Sequence, residues 1–345
     1  MVTPQIKPNQ SNNDNLETAL KSALYKQGKM TSSTDIFANL NLSVDEFLSE
    51  YWQKKPLLIP NAFPNFESPL SPDELAGLAL EEEIESRIVI EQGELGFWAL
   101  RTGPFDESVF SQLPESHWSL LVQAVDLWIP EVKSLLQKFD FLPPWRLDDI
   151  MVSYAPQGGS VGPHFDYYDV FLLQGLGQRR WKVGGSCDYK SPKLPDTPLR
   201  ILSDFKSTEE WLLNPGDMLY LPPQFSHWGV AENDCITYSI GFRSPSLADM
   251  LGDLATELMT QDHPAYFRDP DLTMAMANES INPLFIQQLK SMLGELLNDE
   301  KLLSDWFARY MTSPKYPDFT EETGETRVAK IDGKTFLNGE LSEGS

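Results

Sequence analysis

The stretch Gly162-Pro-His164-Phe-Asp166 decides how this sequence is expected to fold, together with His227 further along the chain. Alternate side chains of a β-strand point to the same face, so His164 and Asp166 can enter one cavity together. A distant histidine completes a set of two histidines and one carboxylate on one side of a metal ion. Non-haem Fe(II) oxygenases use this arrangement, which leaves the opposite positions of the metal open.

Both parts of this set have a simpler interpretation. His164 and Asp166 could lie in a surface loop after Gly162-Pro163 and cap backbone groups there. His227 could be a hydrogen-bonded core histidine beside Trp228. His227 follows a strand that ends in two prolines, as the mouth of an open barrel requires, and this favours the metal site. The other two histidines, His117 and His263, lie in helix-type or loop contexts and are not expected to bind metal.

A dense series of short strands surrounds these residues. Strands are expected over 149–154, around His164, over 218–221 and over 235–242, and a hairpin is expected from 170–174 and 180–183 through a Gly-Leu-Gly turn. Many short antiparallel strands with Gly and Pro turns are typical of a jelly-roll barrel, also called a double-stranded β-helix. The predicted fold class is therefore mainly β with α, with helices on both sides of the barrel.

The flanking segments carry helix signals. Residues 1–34 are polar and are expected to remain disordered. Capping patterns at Ser43 and Ser71 predict two helices. Two strands are expected next, over residues 87–91 and 96–101. An apolar-faced helix is then expected from Trp118 to Trp128. Beyond Ser246 the pattern becomes helical again, and a hairpin is expected over residues 330–336. An apolar stripe in this part has helical spacing: Phe285, Leu289, Met292, Leu293 and Leu296.

Composition limits the possible partners and the compartment. The 345 residues carry 27 Lys and Arg against 51 Asp and Glu, a net charge of −24. Such a surface repels nucleic acid and would steer a basic protein towards it, although solubility alone would explain it as well. Two cysteines, Cys187 and Cys235, exclude a disulfide framework and indicate a reducing compartment. No signal peptide or membrane span is recognised, so a cytoplasmic location is expected.

Two further groups of residues suit a co-substrate and a substrate. Arg179 and Arg180 follow the hairpin turn, and only one of them can face the barrel interior, where a guanidinium would match a carboxylate. Asp149, Met151 and Ser153 share one face of a strand, and Tyr168 follows the metal motif. This wall could hold a cationic side chain between apolar groups. The alternatives are an exposed basic pair and ordinary barrel packing with Asp149 bonded locally.

Several longer motifs resemble the bacterial ribosomal oxygenases, which are JmjC-type, cupin-like 2-oxoglutarate oxygenases. The resemblance extends over residues 35–311. The motifs occur in the family's order: Tyr51-Trp-Gln-Lys-Lys-Pro-Leu-Leu-Ile59, Ser71-Pro-Asp-Glu-Leu-Ala-Gly-Leu-Ala79, Trp118-Ser-Leu-Leu-Val-Gln-Ala-Val125, Trp145-Arg-Leu-Asp-Asp-Ile-Met151, Gly162-Pro-His-Phe-Asp-Tyr-Tyr-Asp-Val-Phe171 and Tyr238-Ser-Ile-Gly-Phe-Arg243.

The resemblance implies a role for each site residue. It implies Fe(II) bound by His164, Asp166 and His227, and O2 as a co-substrate. It implies that Arg179, rather than Arg180, binds the distal carboxylate of 2-oxoglutarate, with Ser239 as a second residue for that task. It also implies a pocket for a target arginine, made by Asp149, Met151 and Tyr168.

The resemblance also implies a division of the chain. It assigns the oxygenase domain to residues 35–245 and a helical homodimerisation segment to residues 246–312. Residues 313–345 resemble only a fragment of the winged-helix-like domain with which family members end. The extension over residues 1–34 is outside the family pattern.

The expected activity is 3-hydroxylation of an arginine in a basic large-subunit ribosomal protein, with succinate and CO2 as co-products. One alternative is the hydroxylation of a ribosomal-protein histidine, against which Asp149 argues because a carboxylate suits arginine better. Lysine demethylation, which some JmjC relatives perform, is another. The last is a non-catalytic, cupin-like metal-binding module, which would be favoured if Arg179 faced outward or the cavity were blocked.

Overall fold

The first two helices begin where their sequences predict. In the computed structural model, which describes residues 36–92, 97–260, 265–278 and 280–342, α1 (Val44–Glu50) and α2 (Pro72–Leu78) each start with a capping box. The Ser43 hydroxyl accepts a hydrogen bond from the Glu46 amide at 3.2 Å, and the Glu46 carboxylate accepts one from the Ser43 amide at 2.9 Å. The reciprocal bonds satisfy two amides that the helix itself leaves free. The predicted disordered extension over 1–34 and His263 lie outside the described residues.

The largest element is an eight-stranded antiparallel sheet. The strands are β1 (Leu57–Ile59), β2 (Ser86–Gln92), β3 (Phe97–Thr102), β4 (Trp118–Val122), β5 (Leu147–Ala155), β6 (Val170–Leu176), β9 (Met218–Leu221) and β11 (Cys235–Phe242). Their spatial order is β1-β9-β6-β11-β5-β4-β2-β3. The predicted strands over 149–154, 218–221 and 235–242 are therefore confirmed.

A smaller sheet packs against this one. It contains β10 (Phe225–Ala231), β7 (Arg179–Ser186) and β8 (Ser207–Leu213), in that order. Buried side chains of both sheets meet in one cluster: Val170, Leu172, Trp181, Val183, Leu213, Leu219 and Leu221. Two antiparallel sheets packed in this way agree with the predicted class of mainly β with α.

Three local predictions were wrong. Trp118–Val122 is a strand, not the start of a helix, because it pairs with β2 and β5 and buries both of its faces. Val170–Leu176 and Arg179–Ser186 form no hairpin, since they belong to different sheets. Gly177 makes the change of sheet possible: its φ is +61°, and a Cβ there would lie 2.0 Å from the Asp234 carbonyl oxygen. His164 lies on no regular strand and pairs with the chain only through a bridge to His227.

Short helices connect the N-terminal strands. They are α3 (Glu107–Phe110), α4 (Val125–Trp128) and α5 (Pro130–Lys133), followed by 3-10 turns over Ser134–Phe139 and Pro144–Arg146. The main core lies between these segments and the outer face of the large sheet. Phe171 is at its centre, with its ring centroid 4.8 Å from that of Tyr220 and 5.0 Å from that of Phe139.

The strand β5 separates this core from the inside of the fold. Ile150 and Val152 are fully buried in the core, whereas Asp149, Met151 and Ser153 face a cavity between the two sheets. The alternation of a strand therefore places the predicted substrate residues on the inner face, as the sequence predicts.

The C-terminal part is helical and ends in a small sheet. Its helices are α6 (Leu247–Met259), α7 (Pro283–Leu297), α8 (Glu300–Thr312) and α9 (Thr320–Thr323), and its strands are β12 (Val328–Ile331), β13 (Lys334–Leu337) and β14 (Glu340–Leu341). The predicted hairpin over 330–336 is confirmed as β12 and β13. Ala308 of α8 packs against Phe336. Across the described ranges, the helices are all too short or too polar to span a bilayer.

Candidate metal centre and cavity

A cavity of about 690 Å³ lies between the two sheets and contains every residue that the sequence predicts for the site. Its walls combine side chains of β5, β6 and β11 with side chains of β7 and β10. The predicted residues that line it are His164, Asp166, His227, Arg179, Ser239, Asp149, Met151 and Tyr168. The topology therefore joins residues that are far apart in the sequence.

His164, Asp166 and His227 converge at one side of this cavity. One potential ligand atom from each residue lies within 4.8 Å of the other two. The Asp166 Oδ2 atom is 3.9 Å from His164 Nε2 and 3.6 Å from His227 Nε2. Two imidazoles and one carboxylate at these separations match the donor set of a facial metal site, with the rest of the cavity available for other ligands.

Hydrogen bonds orient both imidazoles. The Nδ1 atom of His164 is 2.9 Å from the Gly162 carbonyl oxygen, and that of His227 is 3.0 Å from the Phe225 carbonyl oxygen. With a proton on each Nδ1, both Nε2 lone pairs are directed into the cavity. Burial lowers the pKa of His227 to about 4, and the nearby His164 adds to this effect. His227 is therefore neutral at pH 7, as metal binding requires.

Arg179 is the buried cation of the cavity. Its side chain is 3% exposed, and its guanidinium lies 5.2 Å from the centre of the Trp181 ring. Nη2 donates to the Gly229 carbonyl oxygen at 3.2 Å, but Nε and Nη1 are buried and have no hydrogen-bond partner among the described residues. A buried guanidinium with two free donors is costly unless an anion completes it. The residue therefore fits the carboxylate of a bound acid.

The neighbouring Arg180 points the other way. It forms ion pairs with Glu210 and Glu232 on the outside of the small sheet. The side chains of these two adjacent arginines thus face opposite sides of the small sheet. The one that faces the cavity is Arg179, as predicted.

Asp149 lies on the opposite wall and is 5% exposed. Its Oδ2 atom accepts hydrogen bonds from Gln123 Nε2 at 2.8 Å, from the Ala124 amide at 3.0 Å and from Lys315 Nζ at 2.9 Å. Burial raises the pKa of Asp149, and the Lys315 ammonium opposes that rise. This carboxylate is therefore already bound to a cation of the same chain.

The remaining predicted residues lie around Asp149. Met151 lies on the same face of β5, and its sulfur is 3.9 Å from Arg87 Nη2. Ser239 lies opposite Met151 in the sheet. Tyr168 is at the mouth of the cavity and is 41% exposed. All three residues line the same cavity as Asp149.

Several residues in or beside the cavity were not predicted from the sequence. Gly229 matters because a Cβ atom there would lie 2.6 Å from Arg179 Nε and 2.7 Å from the Trp181 ring. Alternation along β7 could have identified Trp181, two residues after Arg179. Lys315 carries no comparable signal, since 166 residues separate it from Asp149.

Comparison with known proteins gives a consistent assignment. Residues 134–250 match the model of the JmjC domain. The ribosomal protein uL16 3-hydroxylase of Escherichia coli is 38% identical over 324 residues, which cover 87% of this chain and 86% of that protein. A probable ribosomal oxygenase of Haemophilus influenzae is 40% identical over 269 residues, which cover 78% of this chain and 64% of the relative.

A solved structure agrees with these matches. The Escherichia coli ribosomal oxygenase YcfD in complex with cobalt and 2-oxoglutarate aligns with a TM-score of 0.76 at 34% identity, over 88% of this chain and 86% of that one. The sequence and the fold therefore lead to one conclusion: this chain belongs to the ribosomal oxygenases, a family of JmjC-domain, cupin-like 2-oxoglutarate-dependent dioxygenases.

Proposed function

We propose that this protein is an Fe(II)- and 2-oxoglutarate-dependent hydroxylase that adds a hydroxyl group to the 3-position of an arginine in ribosomal protein uL16. The main support for this proposal is the combination of side chains that line one cavity. A histidine-aspartate-histidine set, the buried Arg179 and the acidic Asp149 all face it. Each suits one component of the reaction: the metal, the acidic co-substrate and the cationic target.

The proposed metal ligands are His164, Asp166 and His227. Hydrogen bonds to the backbone orient both imidazoles before any metal arrives, which limits the reorganisation on binding. When bound, iron with 2-oxoglutarate and O2 supplies the oxidising chemistry, and the protein supplies position and exclusion of side reactions. Arg179 would bind the distal carboxylate of 2-oxoglutarate through its free Nε and Nη1 donors, and Ser239 would assist from β11.

The proposed target pocket uses Asp149, Met151 and Tyr168. The arginine methylenes would pack between the Tyr168 ring and the Met151 thioether, and the guanidinium would reach the Asp149 carboxylate. These contacts would position the β-carbon of the target in the cavity that the metal set also lines, and a small misplacement would cost much of the rate. A carboxylate at the end of the pocket favours arginine over histidine.

The net charge supports a basic protein partner. The chain carries −24, so a basic ribosomal protein would be attracted to it and bare nucleic acid would be repelled. We also propose a cytoplasmic location, because ribosomal proteins are made and assembled in the cytoplasm.

A homodimer is the proposed assembly. The helix α7 has no buried residue and exposes a row of aliphatic side chains on one face, comprising Ile286, Leu289, Leu293 and Leu297. The helix α6 adds the exposed Leu247, Leu251 and Met259. Exposed apolar side chains on these two helices favour burial against a second copy. The assignment of residues 246–312 to dimerisation is part of this proposal, as is that of residues 313–345 to a winged-helix-like region.

Two observations argue against a non-catalytic metal-binding module. Arg179 faces the interior, and the cavity beside the metal set is open. A module that only stores metal would require neither a buried guanidinium with free donors nor room for a second ligand. Asp149 argues against the hydroxylation of a neutral imidazole.

The decisive test uses uL16 peptides. Purified protein with Fe(II) and 2-oxoglutarate should release succinate faster when an arginine-containing uL16 peptide is added. The peptide should gain the mass of one oxygen atom. The same peptide with lysine in place of arginine is the control. Absence of both peptide-stimulated succinate and the mass gain would reject the proposed function.

A further inference from the structure

Lys315 enters the cavity from the C-terminal end of the chain. It lies just after α8 and lines the same cavity as the metal set. Its Nζ atom is 2.9 Å from Asp149 Oδ2 and 3.1 Å from Asp148 Oδ2. The segment is held on both sides: Arg243 Nη2 donates to the Ser313 carbonyl oxygen at 2.7 Å, and the Tyr316 hydroxyl is 3.2 Å from Glu85 Oε2.

The two oxygens of Asp149 have different surroundings. Oδ2 accepts three hydrogen bonds, from Gln123, from the Ala124 amide and from Lys315. Oδ1 receives none from the described residues and lies 3.7 Å from the position that a Cβ atom would take on Gly241. Since Gly241 also lines the cavity, Oδ1 is available to an incoming donor.

Charges around Lys315 are balanced. Besides Lys315, Asp148 has Arg243 Nε at 3.5 Å and Arg327 Nη2 at 3.8 Å. Arg327 also pairs with Glu325. The cluster therefore contains three carboxylates and three cations. The carboxylates are those of Asp148, Asp149 and Glu325, and the cations are Lys315, Arg243 and Arg327. Asp126, whose pKa is raised to about 7 by burial, lies behind Asp149 and does not line the cavity.

A further cation cannot enter this neutral cluster without cost. A target guanidinium placed beside Asp149 would leave an uncompensated charge in a partly buried site, which is strongly unfavourable. Exchange for the Lys315 ammonium would keep the cluster neutral. Lys315 can leave because its side chain is 24% exposed and thus reaches water, while Asp148 keeps its two arginines.

We propose that Lys315 is a specificity-determining residue: its ammonium occupies the Asp149 site in the free enzyme, and the target arginine binds by replacing it. This inference rests on the proposed function. A guanidinium can take the place of the ammonium at Oδ2 and also donate to the free Oδ1, a bidentate contact that a single ammonium does not make. A neutral side chain such as imidazole cannot replace the lost charge. The exchange therefore selects arginine.

The test compares two variants with opposite expected effects. Lys315→Met removes the competing charge, so the KM for a uL16 arginine peptide should fall by about tenfold, the equivalent of one charge-assisted hydrogen bond. Lys315→Arg places a forked cation on both oxygens of Asp149, so the peptide KM should rise. The KM for 2-oxoglutarate should stay unchanged in both variants. Lys334→Met is the control, because Lys334 pairs with Asp305 outside the cavity.

A merely structural Lys315 would give the reverse pattern. The peptide KM would then rise in Lys315→Met and stay near the wild-type value in Lys315→Arg. Either of these results would reject the proposal that the target arginine replaces Lys315. If Lys315→Met does not fold, Lys315→Arg alone carries the test: a raised peptide KM supports the exchange and an unchanged one rejects it. Failure of the proposed function is distinguishable, because wild-type protein would then leave the peptide unmodified.

Discussion

His164 and His227 exchange both of their backbone hydrogen bonds across a single bridge. The His164 amide donates to the His227 carbonyl oxygen at 3.0 Å, and the His227 amide donates to the His164 carbonyl oxygen at 2.8 Å. The imidazole centroids are consequently 4.3 Å apart. This pair brings a loop residue and a residue of β10 into one donor set, which Asp166 completes.

Replacement of Asp166 should abolish metal-dependent turnover. Asp166→Ala removes the carboxylate of the set, and we expect activity to fall by more than about 100-fold, since even the loss of an outer hydrogen-bond partner of a ligand costs 10- to 100-fold. Succinate release and Co(II) binding by calorimetry would measure the effect. Asp204→Ala, which breaks only an exposed pair with Lys206, is the control. Full activity in Asp166→Ala would refute the ligand assignment.

Removal of the Arg179 guanidinium should affect the co-substrate alone. In Arg179→Met the KM for 2-oxoglutarate should rise about 100-fold, the cost of two charge-assisted hydrogen bonds. The melting temperature without co-substrate should not fall, because the substitution removes a buried charge whose Nε and Nη1 donors have no partner in the part of the chain that the structure describes. Arg180→Met, which breaks the outer ion pairs with Glu210 and Glu232, should leave the KM for 2-oxoglutarate unchanged. Equal effects of the two substitutions would contradict the assignment.

A methyl group at Gly229 should act through Arg179. The Cβ atom of Gly229→Ala would lie 2.6 Å from Arg179 Nε, so the guanidinium must move and the 2-oxoglutarate KM should rise. Gly185→Ala is the matched control, since nothing lies within 4 Å of a Cβ atom there. Kinetics with varied 2-oxoglutarate would measure both. Identical kinetics for the two variants would show that the position of Arg179 is not critical.

Loss of the Asp149 carboxylate should weaken peptide binding and spare the co-substrate. Asp149→Ala should raise the peptide KM by about 30-fold or more, the cost of breaking a buried charge pair. It should also lower the free energy of unfolding by about 1–3 kcal/mol, because the Ala124 amide and Gln123 lose their acceptor. The control is Asp305→Ala, which breaks an ion pair with Lys334 outside the cavity. An unaltered peptide KM would place the target elsewhere.

A charge on the apolar face of α7 should dissociate the proposed dimer. Leu293 is 49% exposed, and Leu293→Glu would place a carboxylate in the interface. Sedimentation velocity should then show a monomer, whereas Gln287→Glu, which adds the same charge to another exposed position of the helix, should remain dimeric. A monomeric wild-type protein would reject the assembly.

Local sequence patterns predicted much of this fold. The capping boxes at Ser43 and Ser71 depend on residues three positions apart, and the structure reproduces both. Strand alternation correctly placed Asp149 and Met151 on the cavity side of β5. The short apolar run from Trp118 was misassigned, because Leu-Leu-Val suits a helix or a strand and only pairing with β2 and β5 decides between them.

The sequence by itself determined the donor types of the site, since His164, Asp166 and Arg179 have spacings and neighbours that indicate their chemistry. The tertiary structure decided which groups meet. Only the change of sheet at Gly177 carries Arg179 to the opposite wall, and only the fold of the C-terminal segment brings Lys315 to Asp149 across 166 residues. Spacing along the chain encodes the direction of a side chain, whereas distant partners depend on sheet pairing and packing, which no local pattern specifies.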